Sequence, residues 1–402
     1  MFSGFDHSQL SLQECCNDLA QQYQKSLSKE ALHKRFNDRS LGFLKLVLAE
    51  QMASKLDTIQ ANNWQPFSRV LVADSCKFRL PDKYAGDYPS FGGRSALSLM
   101  NIQYAFDLKH GQWENLELTK ATQNDQGHSK KTLQRIGQGE LHIRDMGFVT
   151  MPYLKKVVAE KAFFLNRLPA KWKPLQCGSG KAIDWAKRYR QMQKSKEDRF
   201  ETMVTIGEGK EAFNGRLIAV AVPEQVWAER IRKAQKQAKS HKWGLSDEYK
   251  ERCKFSVFIT NVEEKILKTN DVIQLYRIRW QIELIFKTWK SLLGIHKVKA
   301  VKRERLECQL IAKFIWILIH WKIFWCIDAF IQKNSPGYAC SVWKFFKLAR
   351  QFDHILRNVI TACMSFKDWC KISLYAIIKN LLTEPKKKKI PAFQIVYQVF
   401  KP

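Results

Sequence analysis

The chain has 402 residues, enough for a sizeable core and two or three domains. Lysine and arginine number 68 against 38 acids, a net charge of +30, which implies a polyanionic partner and ranks nucleic acid ahead of an acidic membrane surface. A 45% hydrophobic share with 13 tryptophans excludes a bare basic tail, and ten scattered cysteines without a CxxC pair or zinc-spaced Cys/His cluster read as reduced, mostly buried thiols of a cytoplasmic protein.

The first stretch, Met1 to Leu12, is polar and lacks the apolar core of a signal peptide. Residues 1–65 read as helical, with a helix, a tight turn near Ser26 to Ser28, and a second helix from Lys29 to Phe36 capped by Ser28. Lys29, His33, Lys34 and Arg35 would face DNA if this is a helix-turn-helix; an ordinary helical hairpin with a basic exterior fits equally. From Arg69 the texture changes. Val70 to Ala73 suits a buried strand ending on Asp74-Ser75, and Gly92-Gly93 marks a turn or a close backbone approach before a helix beginning near Ser95. Ile102 to Leu108 and Trp113 to Thr119 form a hairpin across His110-Gly111. Leu141 to Asp145 alternates, so Leu141, Ile143 and Asp145 share one face of a strand. A helix from Pro152 to Lys161 follows, then a strand from Phe163 to Leu168 carrying Arg167.

Far more chain than one helix and one strand require separates Asp145 from Glu283. That span contains polar and basic stretches, strands at Glu201 to Ile206 and Arg216 to Val222, and a basic helix from Pro223 to Lys239. This predicts a β-containing insertion whose exit helix shows a solvated face. After it, the strand-like Phe255 to Val262 leads into a helix that starts at Thr269 or Asn270 and stops at Gly294, about six turns long. On that helix Tyr276, Arg279, Glu283 and Lys290 fall within an arc of roughly 60°, while Ile278, Ile282, Ile285, Phe286, Trp289 and Leu293 form a neighbouring packing face. A carboxylate flanked by cations and a phenol can hold a hard cation and phosphate oxygens; it can also be a solvated face of ion pairs. Ile311 to Ile331 is a long apolar run interrupted by Lys313, His320, Lys322 and Asp328, and reads as a buried helix rather than a membrane span. Lys386 to Lys389, between Pro385 and Pro391, reads as a link.

Tyr276, two residues, Arg279, three residues, Glu283, six residues and Lys290 is the pattern of the YREK group of bacterial insertion-sequence transposases, which this chain resembles. These are DDE enzymes related to the insertion-sequence-4 group. Asp74-Ser75 with Leu80-Pro81 is similar to the family's first motif, and Asp145-Met146-Gly147-Phe148 to its second. Thr260-Asn261-Val262 matches the stretch before the third, and Arg167 an arginine that touches DNA near the site. Cys76 departs from the hydroxyl residue common at its position. The agreement runs from about residue 70 to 300.

The resemblance implies an α/β, ribonuclease-H-like core with first and fourth strands parallel neighbours, interrupted by the insertion and flanked by helical N- and C-terminal regions. The corresponding divisions are 1–65 for DNA binding, 66–170 and 254–300 for the core, 171–253 for the insertion, and 301–402 for dimerisation. It implies catalysis and metal binding by Asp74, Asp145 and Glu283, with two Mg²⁺ ions for which Mn²⁺ can substitute. Phosphate positioning falls to Tyr276, Arg279, Lys290 and Arg167. The implied partners are double-stranded DNA, as inverted-repeat ends and as target, and a second copy of the chain in a paired-end complex, with no membrane. Some relatives form a hairpin on the transposon end and hold a flipped base on an aromatic residue; Phe255, Phe258 and Trp280 are candidates here, though core packing accounts for each. Two other readings stay open: a metal nuclease or resolvase on a similar fold, and an inactive, DNA-binding relative.

Overall fold

A computed structural model describes residues 11–54, 66–92, 96–170, 172–207, 209, 212–241, 244–334, 338–351, 365, 368 and 380–382. Its centre is a nine-stranded mixed sheet built from β1 (Val70–Arg79), β2 (Leu99–Asp107), β3 (Gln112–Lys120), β4 (Leu141–Arg144), β5 (Phe163–Arg167), β6 (Leu175–Gln176), β7 (Arg199–Ile206), β8 (Phe213–Ala221) and β9 (Phe255–Thr260). The strand order is β3-β2-β1-β4-β5-β9-β8-β7-β6. β1, β4 and β5 are parallel; the remaining pairings are antiparallel. The expected hairpin is β2–β3, turning at Gly111 with φ +66°, and the expected side-by-side placement of first and fourth strands is the β1–β4 pair.

Alternation on the buried strands feeds two cores, one on each sheet face. Val70, Val72, Cys76 and Phe78 of β1 and Met100, Ile102, Tyr104 and Phe106 of β2 join the first. Phe164 of β5, Leu217 and Ala219 of β8, and Phe255, Val257 and Ile259 of β9 join the second. The first core is covered by α3 (Asp38–Ala53), α9 (Thr269–Ile278), α10 (Trp280–Lys287) and α11 (Arg303–Asn334), the second by α5 (Met151–Ala159) and α6 (Trp185–Ser195). α11 buries apolar side chains on all its sides over most of its length and emerges at its C-terminal end, where Phe330 is exposed. It is long and apolar enough to cross a membrane by composition, yet 78% of its apolar window is buried within the chain, as expected for a core helix.

Before the sheet, α1 (Leu12–Tyr23) and α2 (Lys29–Arg35) precede α3. Ser28 caps α2, its Oγ accepting from the Ala31 N–H, as expected. No residue of α2 is fully buried, so Lys29, His33, Lys34 and Arg35 ride on an exposed helix. α4 (Asp125–Lys131), α7 (Glu224–His241), α8 (Asp247–Arg252) and α12 (Val342–Gln351) complete the helices, α7 being the expected basic helix.

Several expectations need correction. β1 does not end at Asp74 but runs on to Arg79, because β2 keeps pairing with it after β4 has stopped at Ala73↔Arg144. Among the described residues, none after position 95 starts the expected helix: Leu97 and Ser98 lead straight into β2, with Ser98 bridged to Pro89. The span expected to be a β-containing insertion does hold strands, β7 and β8, and these extend the central sheet through the β8–β9 pairing. Residues 1–10, 55–65 and the Lys386 to Lys389 run lie outside the described residues.

Candidate active site

The site forms where the parallel pairing of β1 with β4 runs out. The last paired residues are Ala73 and Arg144, so the next side chains, Asp74 and Asp145, stand beside each other at the carboxyl ends of adjacent parallel strands. Asp74 is held by its neighbour, the Ser75 N–H donating to Oδ1 at 2.8 Å. Asp145 opens a short 3₁₀ turn, Met146–Phe148, that leads to α5.

The third acid comes from the helix expected over Thr269 to Gly294, which is not continuous. Its N-cap is Lys268 rather than Thr269 or Asn270, because the Thr269 hydroxyl donates instead to Glu201 Oε2 at 2.5 Å. At Arg279 the ladder tightens: the Arg279 N–H bonds Tyr276 O and the Ile282 N–H bonds Arg279 O, both three residues back, dividing α9 from α10. A π turn, Thr288–Leu292, ends the helix, and Gly294, at φ +58°, supplies the expected stop. The packing face is as expected: Ile278, Ile282, Ile285, Phe286, Trp289 and Leu293 are all buried.

Across this junction the side chains converge. The Arg279 guanidinium donates from Nη1 to Asp74 Oδ2 at 2.6 Å and from Nη2 to Glu283 Oε1 at 2.9 Å, with Asp145 Oδ1 4.0 Å from Nη2. The Tyr276 hydroxyl donates to Asp145 Oδ1 at 3.3 Å, its ring seated on Phe258. Tyr276 is buried while the Glu283 side chain is 44% exposed, so the site is solid behind and open in front. Burial pushes the Asp74 carboxyl up to about 6, against the pull of Arg279 and Ser75 and with repulsion from Asp145 and Glu283 adding to it. Burial likewise raises the Tyr276 phenol, keeping it a donor.

Five of the seven expected site residues thus meet: Asp74, Asp145, Glu283, Tyr276 and Arg279. The other two stand apart. Lys290 lies in the π turn, and its Nζ donates to the Lys77 carbonyl at 2.7 Å, along β1 from the acids. Arg167 ends β5 near enough to Tyr276, Arg230 and Arg252 for its charge to act on all three. Of the candidate aromatics, Phe255 and Phe258 are buried and Trp280 is 50% exposed, one turn from Glu283. Lys77 and Arg79 were not singled out from the sequence, yet with Lys290 and His296 they line an open groove of about 450 Å³. Their signal was the continued alternation of β1 beyond Asp74.

Three carboxylates with oxygen donors only, facing a single cation, are the donor set that a hard divalent ion prefers. They are not drawn together into a cage: among the described residues no group of three or more His, Cys, Asp or Glu side chains is gathered for a metal. The acids are spread around the guanidinium instead.

A family model described as "Transposase DDE domain" matches residues 65–319. The transposase for insertion sequence element IS231B of Bacillus thuringiensis subsp. berliner is 30% identical over 326 residues, 77% of this chain and 68% of the relative. That for IS1151 of Clostridium perfringens is 28% identical over 348 residues, covering 82% and 73%. The putative transposase InsL for IS186A of Escherichia coli (strain K12) is 28% identical over 268 residues, covering 64% and 67%.

Proposed function

The chain belongs to the DDE-domain transposases of insertion sequences, and we propose that Asp74, Asp145 and Glu283 are the acids with which it holds its divalent ions. Transposases of this type bind the ends of their element and use divalent metal ions. The observation that carries the assignment is the convergence of three acids, far apart in sequence, on one cation at the end of the parallel strands.

Bound there, two Mg²⁺ ions, or Mn²⁺ in their place, would activate an attacking water or 3′-hydroxyl and stabilise the leaving oxygen of a phosphodiester. The chain's own groups do the rest. Tyr276 holds Asp145 in place through its hydroxyl, and the Ser75 N–H fixes the rotation of Asp74. Glu283 and Asp145 are the acids open to incoming DNA, Asp74 being the covered one. Arg279, Lys290 and Arg167 bind phosphates, with Lys290 joined by Lys77 and Arg79 along the groove. Trp280 presents an indole face on which a base can stack.

Around this core, residues 1–65 add affinity for the inverted-repeat ends through the exposed basic face of α2, and residues 171–253 form the β-containing insertion of a ribonuclease-H-like fold. Residues 301–402 serve the homodimer of a paired-end complex. Because α11 is engaged in the chain's own core, we assign the dimer contacts to the surface carrying Tyr338 and Trp343. The bacterial cytoplasm is the compartment that suits a DNA substrate and free thiols, none of which is paired among the described residues.

Strand cleavage and end binding, measured on the same purified variants, test the assignment. Glu283→Gln should abolish Mg²⁺-dependent nicking and strand transfer while leaving end binding intact. Lys290→Ala should weaken binding and reduce its salt dependence. Nicking by Glu283→Gln at the parent rate would remove Glu283 from the triad. Joining of a pre-cut end to target DNA separates a transposase from a nuclease or resolvase, which would hydrolyse only.

A further inference from the structure

Arg279 stands where a metal ion would have to be. Its Nη1 and Nη2 take an oxygen each from Asp74 and Glu283, at 2.6 and 2.9 Å, and Asp145 completes the ring at 4.0 Å. The side chain is only 13% exposed, its Nε is buried without a partner, and the Tyr276 ring lies 5.7 Å from the guanidinium carbon. A carboxylate oxygen bonded to a guanidinium N–H cannot at the same time bind a divalent ion with that lone pair, and a guanidinium beside the ion would repel it. Metal and arginine therefore compete for the same oxygens.

Resting on the triad assignment above, we infer that Arg279 is a displaceable internal counter-ion, which occupies the metal position in the DNA-free protein and is drawn off by a DNA phosphate. A phosphodiester supplies the partner that lets the guanidinium go, since arginine binds phosphate through two parallel N–H bonds as readily as it binds carboxylate. The tightened turn at Arg279, between α9 and α10, sets the side chain at a junction rather than within a regular helix. The consequence is linkage: DNA raises the affinity for metal, and metal raises the affinity for DNA by the same factor. The chain is kept from assembling a competent metal site until DNA is in it.

Mn²⁺ binding to the full-length protein, followed by the electron paramagnetic resonance signal of the free ion, tests this without any turnover. The parent should bind Mn²⁺ weakly alone and about tenfold or more tightly with a random-sequence duplex. Arg279→Gln keeps a polar, hydrogen-bonding end on a shorter side chain but removes the charge. It should bind Mn²⁺ about tenfold more tightly than the parent without DNA, and the duplex should add little. Arg279→Ala is the second variant, with circular dichroism confirming that each is folded. Equal Mn²⁺ affinity of the parent and both variants without DNA overturns the displacement. Glu283→Gln alone tells the two ideas apart. If it binds Mn²⁺ with the duplex as tightly as the parent, the triad assignment fails, and the inference with it; if it loses that binding while Arg279→Gln and Arg279→Ala match the parent without DNA, the triad stands and the displacement alone fails.

Discussion

Trp289 offers the sharpest test of what holds the helix bearing Glu283 on the sheet. It is fully buried in the π turn, with ring centroids of Tyr104, Phe314, Trp113 and Phe286 at 5.0, 5.1, 5.4 and 5.5 Å. Truncation to alanine removes the largest fully buried side chain among the described residues and leaves four rings facing a cavity, which should cost about 3–5 kcal/mol. Phenylalanine at this position behaves differently. Its smaller ring forfeits about 1 kcal/mol of apolar burial. The substitution also removes the indole N–H, which is buried without a partner and which costs about 1–3 kcal/mol in that condition. The two effects offset, so Trp289→Phe should lie within about 1 kcal/mol of the parent. Urea unfolding followed by far-ultraviolet circular dichroism measures both variants without relying on the remaining tryptophans. In the alanine variant, nicking should also fall further than the loss of folded protein explains, since Glu283 sits on the same helical run. A phenylalanine variant as unstable as the alanine one would refute the reasoning, because it would mean that the indole N–H makes a bond worth keeping.

Tyr276→Phe keeps the ring on Phe258 but removes the hydroxyl bonded to Asp145, so cleavage should fall about tenfold with stability changed by about 1 kcal/mol; an unchanged cleavage rate would show that Asp145 needs no such holding. Asn261→Ala should cost about 2–3 kcal/mol, because the amide accepts from the Phe164 N–H at 2.8 Å and donates to Ala162 O at 2.9 Å, and both backbone groups lose their partner; a neutral result in thermal unfolding would contradict it. His320 is buried, stacked on Trp316, and donates from Nδ1 to the Trp316 carbonyl, with burial pushing its imidazole down to about 3. The folded state therefore binds fewer protons than the unfolded one. This stability is present above about pH 6.5 and is lost as the pH falls toward 3, by about 2 kcal/mol between pH 7.5 and pH 5. His320→Gln should flatten that slope in urea unfolding at the two pH values, and an equal slope in both proteins would assign the acid sensitivity elsewhere.

The parts of the fold legible in the sequence were those with a local cause. Strand-like patterning marked β2, β3, β4 and β9, the Ser28 cap marked α2, and Gly294 marked the end of the helix bearing Glu283. Helical spacing put Tyr276, Arg279 and Glu283 on one face, while the placing of Asp74 beside Asp145 was legible only through the resemblance to the YREK group, which implied that the first and fourth strands are parallel neighbours. What stayed hidden depends on partners distant in the chain. The run of β1 beyond Asp74 exists because β2 pairs with it, and the sharing of one sheet by β5, β9 and β8 is a matter of edges meeting. The π turn that directs Lys290 toward Lys77 follows no propensity rule; it appears where Trp289 enters a cage of four rings. The short helix α4 had a local mark that went unread, an Asn124 side chain accepting from the Gly127 N–H, followed by a basic end.

The position of β9 has a consequence for synthesis. It is the one strand that joins β5 to β8, and it leaves the ribosome after both. As the chain grows from its amino end, β1, β2, β3, β4 and β5 can come together first and β7 and β8 can form their hairpin, but the two groups have open edges with nothing between them. Only when residues 255–260 emerge does a strand pair with each, and only then does the segment bearing Glu283 follow. A nascent polypeptide in which Asp74 and Asp145 are already side by side therefore still lacks the segment bearing Glu283, which is made more than a hundred residues later.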